Sequence, residues 1–138
     1  MTARDDSSSI PTNLMPAPVT VFTYAKCSTC RDAVKWLRAH GVNFIERPIS
    51  ETPPSVAELR RMLAHQNGIL RRLFNSSGLE YRALGLAAKL PVMTEAAALA
   101  LLASNGRLVK RPFLLGEELG LVGFAAPIWA SALVAKLR

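Results

Sequence analysis

Two cysteines and two histidines are the whole supply of soft metal ligands in this chain. That is too few for the disulfide framework of a small secreted domain. His40 and His65 have no metal-like spacing to each other or to Cys27 and Cys30, so no metal is expected. Acidic residues are scarce: 10 Asp and Glu against 17 Lys and Arg leave a formal charge of +7, which draws anionic ligands or acidic protein surfaces. The basic residues lie in scattered pairs such as Arg60 and Arg61, Arg71 and Arg72, or Lys110 and Arg111. Without a long run or interleaved aromatics, direct nucleic-acid binding is not expected. No apolar run approaches the roughly 18 residues of a membrane span. The first residues, with Asp5, Asp6, Ser7, Ser8 and Ser9, lack the basic start and apolar middle of a secretion signal. The expectation is a cytoplasmic protein without a membrane partner, in a compartment where a cysteine pair is more often redox active than structural.

Half of the 138 residues are hydrophobic, enough for one core without cross-links. Residues 1–17 are rich in Ser, Pro, Thr and Asn and read as a disordered tail; Met15, near its end, is an alternative translation start. Residues 18–138 read as a single domain. Its first unit is a strand over Val19 to Tyr24, a loop through Cys27, and a helix whose apolar positions Ala33, Val34, Trp36 and Leu37 end before Gly41. A second strand lies within Val42 to Ile49, centred on Asn43 to Glu46. Ser55 and Glu58 form a capping box, opening a helical block over about 50–107 that continues through Ile69 to Phe74, Tyr81 to Leu86, and Thr94 to Ala103. Phe113 to Leu115 and Leu121 to Phe124 then flank a hairpin turn, and Ala126 to Leu137 closes the chain as a helix with Pro127 in its first turn. The fold class is α/β: a thioredoxin-like sheet of strand-helix-strand, hairpin and helix, with an inserted helical block.

The chemistry is centred on Cys27-Ser28-Thr29-Cys30. A thiolate attacks where a thiol scarcely does. Cys27, at a strand-to-helix turn, faces unpaired backbone amides and the positive helix end, and Lys26 and Arg31 flank it as thiolate-stabilising cations. Cys30, one turn on, is either a resolving thiol or a small buried hydrophobe of the helix. His40 and His65 read as surface residues at helix ends. Asn75, Ser76 and Ser77 either contact a substrate or make turn chemistry.

Tyr24 to Arg31 (YAKCSTCR), Pro53-Pro54-Ser55, Phe74 to Gly78 (FNSSG) followed by Tyr81-Arg82, and Leu108 to Pro112 (LVKRP) together resemble the ArsC/Spx family of arsenate reductase-like proteins and Spx/MgsR regulators. The resemblance implies a thioredoxin-like fold in which Cys27 is the reactive cysteine, with Arg111 and a cis-proline, Pro112, opposite it. Arsenate reductases of this family surround the oxyanion with three arginines; this chain keeps Arg111 and has Asn75 and Phe124 at the other two positions. They also typically carry Ser where Cys30 stands. The implied activity is therefore a thiol-dependent oxidoreductase with Cys27 as nucleophile and Cys30 as resolving thiol. It would hold no bound cofactor and draw electrons from glutathione, glutaredoxin or thioredoxin, so that its partner is a small thiol or a redox protein. The alternative is an Spx-like redox-sensing regulator that binds the C-terminal domain of the RNA polymerase α subunit, with Gly68 at the interface.

Overall fold

The structure is a computed structural model and describes residues 17–134. Nearly all of the segment expected to be a tail, and Leu137 of the closing helix, lie outside those residues. In chain order the elements are β1 (Val19–Thr23), α1 (Ser28–Ala39), β2 (Phe44–Pro48), α2 (Val56–His65), a 3-10 turn (Leu70–Leu73), α3 (Leu79–Ala83), α4 (Leu86–Lys89), a 3-10 turn (Leu90–Val92), α5 (Glu95–Ser104), a 3-10 turn (Gly106–Leu108), β3 (Phe113–Leu115), β4 (Gly120–Val122) and α6 (Ala126–Trp129), which widens into a π-helical turn (Ala130–Val134).

The sheet order is β2-β1-β3-β4. β1 pairs parallel to β2, with Val19 opposite Phe44, and antiparallel to β3, with Val21 opposite Leu114; β4 returns antiparallel to β3. Period-two alternation then sorts the side chains. Val19, Val21 and Leu114 point to the side of α1 and α6, where they meet Ala33, Leu37, Trp129 and Leu133. Phe22, Phe113 and Leu115 point to the helical block, where they meet Leu59, Met62, Leu73, Phe74, Leu99 and Leu102. Helices cover both faces, which is why the central strands are apolar throughout.

Local signals set the helix ends. α1 stops at Gly41, whose φ of +66° suits a residue without a Cβ. The Gly41 N–H donates to the Arg38 carbonyl at 3.2 Å and that of Val42 to Leu37 at 3.0 Å, a Schellman pair that closes the last turn. At α2 the capping box is present: Glu58 N–H donates to Ser55 Oγ (3.1 Å) and Ser55 N–H to Glu58 Oε1 (2.9 Å). Thr94 caps α5 through the Ala97 N–H at 3.1 Å. α5 buries Ala98, Leu99 and Leu102 while leaving Ala96 and Ala97 exposed, so only one side of its apolar run is packed.

The structure departs from the sequence reading in several places: Ile69 to Phe74 is a 3-10 turn over Leu70–Leu73 with Phe74 in a β-bridge, the closing helix is α-helical only over Ala126–Trp129 before its π-helical turn, and two further stretches differ. The stretch over Tyr81 to Leu86 is two one-turn helices, divided where Gly85 takes φ +65°. The last strand ends at Val122, because Gly123 at φ +72° turns the chain away and carries Phe124 off the sheet.

Two ties fasten the helical block to the sheet. Gly106 lies against the backbone of Ile49, the residue after β2, so closely that a Cβ there would overlap the Ile49 carbonyl. Phe74 forms an antiparallel bridge with Val109, extended by Asn75 N–H to the Leu108 carbonyl (2.7 Å) and Lys110 N–H to the Leu73 carbonyl (2.8 Å). The second tie grips the chain just before Arg111.

Candidate active site

β1 ends at Thr23, and a tight turn follows in which the Cys27 N–H donates to the Tyr24 carbonyl at 3.0 Å. Cys27 is the N-cap of α1, with extended backbone angles, and its Sγ accepts from the Cys30 N–H at 3.3 Å. The sulfur thus occupies the place of the usual Ser or Asp oxygen at a helix start, where amide donors and the helix dipole favour a negative charge. Cys30 is buried on the inner face of α1, and its Sγ accepts from the Tyr24 N–H at 3.4 Å.

The two thiols are made unequal by these surroundings. Burial pushes Cys27 up, but this is outweighed by the hydrogen bonds from the Cys30 side chain and N–H, the Arg111 charge and the Thr29 N–H, so that Cys27 lies below the usual thiol range. Cys30 is pushed up to about 12, first by burial, then by its hydrogen bond to Cys27 and the charge there. Cys30 therefore stays protonated and donates its S–H to a Cys27 thiolate.

Arg111 joins this pair from the far end of the chain. The Arg111–Pro112 peptide is cis. The guanidinium lies 4.6 Å from the centre of the Tyr24 ring, a cation–π distance, and Nη1 donates to the Arg107 carbonyl at 3.2 Å. Arg107 is itself fixed by Glu80 at 3.1 Å, and Glu80 also accepts from Asn105 Nδ2 at 2.6 Å. Tyr24 is the residue that sequence reasoning missed: it gives its carbonyl to Cys27, its N–H to Cys30 and its ring to Arg111. An aromatic side chain at the strand end before the cysteine loop is the signal that points to it.

The other candidate residues are placed differently. Arg31 donates to the Ala25 carbonyl at 3.2 Å and lines a cavity on the α1–β2 side with Lys35 and Arg38. Lys26 is exposed in the turn. The cation acting on Cys27 across the site is Arg111. Asn75 serves the turn, its carbonyl accepting from the Gly78 N–H at 3.0 Å and its amide resting where a Cβ on Gly78 would lie 2.7 Å away; Ser76 and Ser77 are exposed beside it. Phe124 packs edge-on against Trp129 at 4.9 Å and Trp36 at 6.3 Å. His40 caps α1 through the Trp36 carbonyl at 2.9 Å while stacking on the Trp36 ring. His65 ends α2 against Gly120.

This geometry fixes the effect of changing Arg111. Arg111→Ala should raise the midpoint of Cys27 alkylation on the pH axis, and Arg111→Lys should raise it less, because Lys keeps the charge but loses the planar fork. Iodoacetamide rates against pH, with circular dichroism to check folding, measure both. An unmoved midpoint in Arg111→Ala would make Arg111 a solvated surface residue.

The fold and the site have counterparts among known proteins. The sequence profile of the ArsC family matches residues 22–130, from β1 into the closing turns. The uncharacterized protein YusI of Bacillus subtilis is 45% identical over 106 residues, which cover 77% of this chain and 90% of YusI. The global transcriptional regulator Spx of Enterococcus faecalis is 28% identical over 107 residues, 77% of this chain and 79% of Spx. A solved ArsC-family-related protein from Bacteroides fragilis superposes with a TM-score of 0.78 at 39% identity, covering 83% of this chain and 97% of that one. On the profile match, the YusI likeness and the shared fold, the chain belongs to the ArsC family.

Proposed function

We propose that this protein is a thiol-dependent oxidoreductase in which Cys27 is the nucleophile and Cys30 the resolving thiol. The observation that carries the reading is the asymmetry of the pair: Cys27 is an N-cap thiol below the usual range, while Cys30 is buried and pushed up to about 12. In the first step the Cys27 thiolate attacks one sulfur of a disulfide, forming a mixed disulfide and releasing the other half as a thiolate, which takes up a proton. That step removes the Cys27 charge and hydrogen bond, two of the causes that hold the Cys30 proton, while burial, the largest, remains. Cys30 then attacks the Cys27 sulfur, the bond from that sulfur to the second half breaks, and the Cys30 proton passes to the departing thiolate. The protein ends as a Cys27–Cys30 disulfide, two electrons having passed to the substrate, and an external thiol such as glutathione, or glutaredoxin or thioredoxin, restores it.

Trapping separates the two roles. With glutathione disulfide and no other thiol, wild type should end two hydrogens lighter within one peptide, whereas Cys30→Ser should stop as a glutathione adduct on Cys27. Wild type stopping at the adduct would remove Cys30 from the mechanism. Arsenate turnover with glutathione and glutaredoxin should remain at background. A doubly charged oxyanion needs several fixed donors, and here the Phe124 ring lies among Trp36 and Trp129 while Asn75 is bound into a turn.

Likeness to Spx supports a second reading, a redox-sensing regulator of transcription acting through the α subunit of RNA polymerase. Gly68, which the resemblance to Spx sets at that interface, is exposed with φ +75°. A complex with the C-terminal domain of the polymerase α subunit, changing on oxidation in a protein without turnover, would favour this reading over the enzyme.

A further inference from the structure

We propose that a cavity of about 310 Å³ beside the Arg111 segment is a subsite for the carboxylate of a small organic thiol or disulfide that reacts at Cys27. The proposal rests on the reading of Cys27 as nucleophile and adds the chemical class of the substrate. Three cations from two segments line the cavity: Arg71 and Arg72 from the 3-10 turn after α2, and Lys110, the residue before Arg111. Ser76 adds a hydroxyl, and Phe74 and Val122 give an apolar floor. None of the three cations belongs to the ion pairs Arg47–Glu58, Arg60–Glu95 and Arg107–Glu80.

The cavity is built and not merely basic. Gln66 is a buried polar residue, 6% exposed, and its Nε2 donates to the Gly120 carbonyl at 3.1 Å. Its Oε1 is thereby turned outward and accepts from Arg72 Nε at 2.9 Å, so that one edge of the Arg72 guanidinium is fixed before any ligand arrives, which lowers the ordering cost of binding. The Lys110 stem runs beside Gly123, where a Cβ would lie 3.3 Å from its Cε. Cations and a hydroxyl suit a carboxylate, whereas the Phe74 and Val122 floor suits an organic body more than a bare inorganic ion. Lys110 adjoins Arg111, whose charge acts on Cys27. A ligand seated on Lys110 is thus held one residue from the arginine that packs on the ring of Tyr24, whose carbonyl accepts from the Cys27 N–H.

Two aromatic disulfides of similar size test this: dithiobis(nitrobenzoate), with a carboxylate on each ring, and neutral dithiodipyridine. In both, the Cys27 thiolate displaces one aryl thiolate, which is counted by its absorbance. At physiological ionic strength the double variant Arg71→Gln, Lys110→Gln should react about tenfold more slowly with the anionic probe, because near charges outweigh screened distant ones, while its rate with the neutral probe is retained. Lys89→Gln, which removes a charge on α4, should leave the ratio of the two rates as in wild type. An unchanged ratio in the double variant, or an equal drop in Lys89→Gln, overturns the subsite and leaves the nucleophile standing. Failure of wild-type Cys27 to react with either probe overturns both.

Discussion

Replacing Cys27 with Ser is expected to slow alkylation of the folded protein at pH 7 by at least a hundredfold. The remaining thiol, Cys30, is buried and pushed up to about 12 in the native dithiol. A group of that pKa is ionised to roughly one part in 100,000 at pH 7, and the thiolate is the reacting form. Cys27→Ser also removes the Cys27 hydrogen bond and charge, so Cys30 becomes somewhat more acidic. Burial, the largest cause of its elevation, stays in place. In wild type the thiolate fraction of Cys27 grows as pH rises and levels off above a midpoint below the usual thiol range. Mass-resolved iodoacetamide incorporation gives both rates. A variant within tenfold of wild type would show Cys30 to be a competent nucleophile, contrary to its surroundings.

Gly106→Ala should cost about 3 kcal/mol or more of folding stability, as forced overpacking against fixed backbone does. The added Cβ would overlap the Ile49 carbonyl oxygen and lie 2.7 Å from the carbonyl carbon. Neither atom can retreat easily: Ile49 is fully buried, and its N–H donates to the Thr23 carbonyl at 2.8 Å. Gly68→Ala is the contrast, since its Cβ would meet nothing within 4 Å and only the φ of +75° opposes it; about 1 kcal/mol is expected. Urea denaturation of both variants compares them. Equal costs would mean that the Ile49–Gly106 junction yields, and that backbone conformation alone governs both glycines.

The parts of the fold written in short stretches of sequence are readable there. Ser55 with Glu58, Thr94 before its helix, and Gly41 after α1 each specify an end through bonds that reach only a few residues. The strand, cysteine loop and helix are equally legible, because the change from alternating to helical spacing occurs within one segment. What escapes depends on residues far apart. Tyr24 acquires its role only when Arg111 is folded over its ring, and Arg71 and Lys110 share a cavity although nearly forty positions separate them. Sequence adjacency also misleads: Arg31 stands four residues from Cys27, yet its guanidinium turns back to Ala25. Apolar spacing places Phe124 in the last strand, but the positive φ of Gly123 sends it to the aromatic cluster of Trp36 and Trp129.

The bridge between Phe74 and Val109 has a thermodynamic consequence. It joins the helical block to the two residues preceding Arg111, so loosening the block would let Arg111 drift from the sulfur. Ionisation of Cys27 and docking of the block are therefore linked equilibria, each favouring the other by the same free energy. Since the folded state holds Cys27 below its unfolded value, this contribution is fully present above the unfolded pKa and is lost as pH falls through the folded one. Cys27 thus reports on the docking of a block to which it does not belong. Capturing the sulfur in a disulfide removes its charge and, with it, the electrostatic share of that docking.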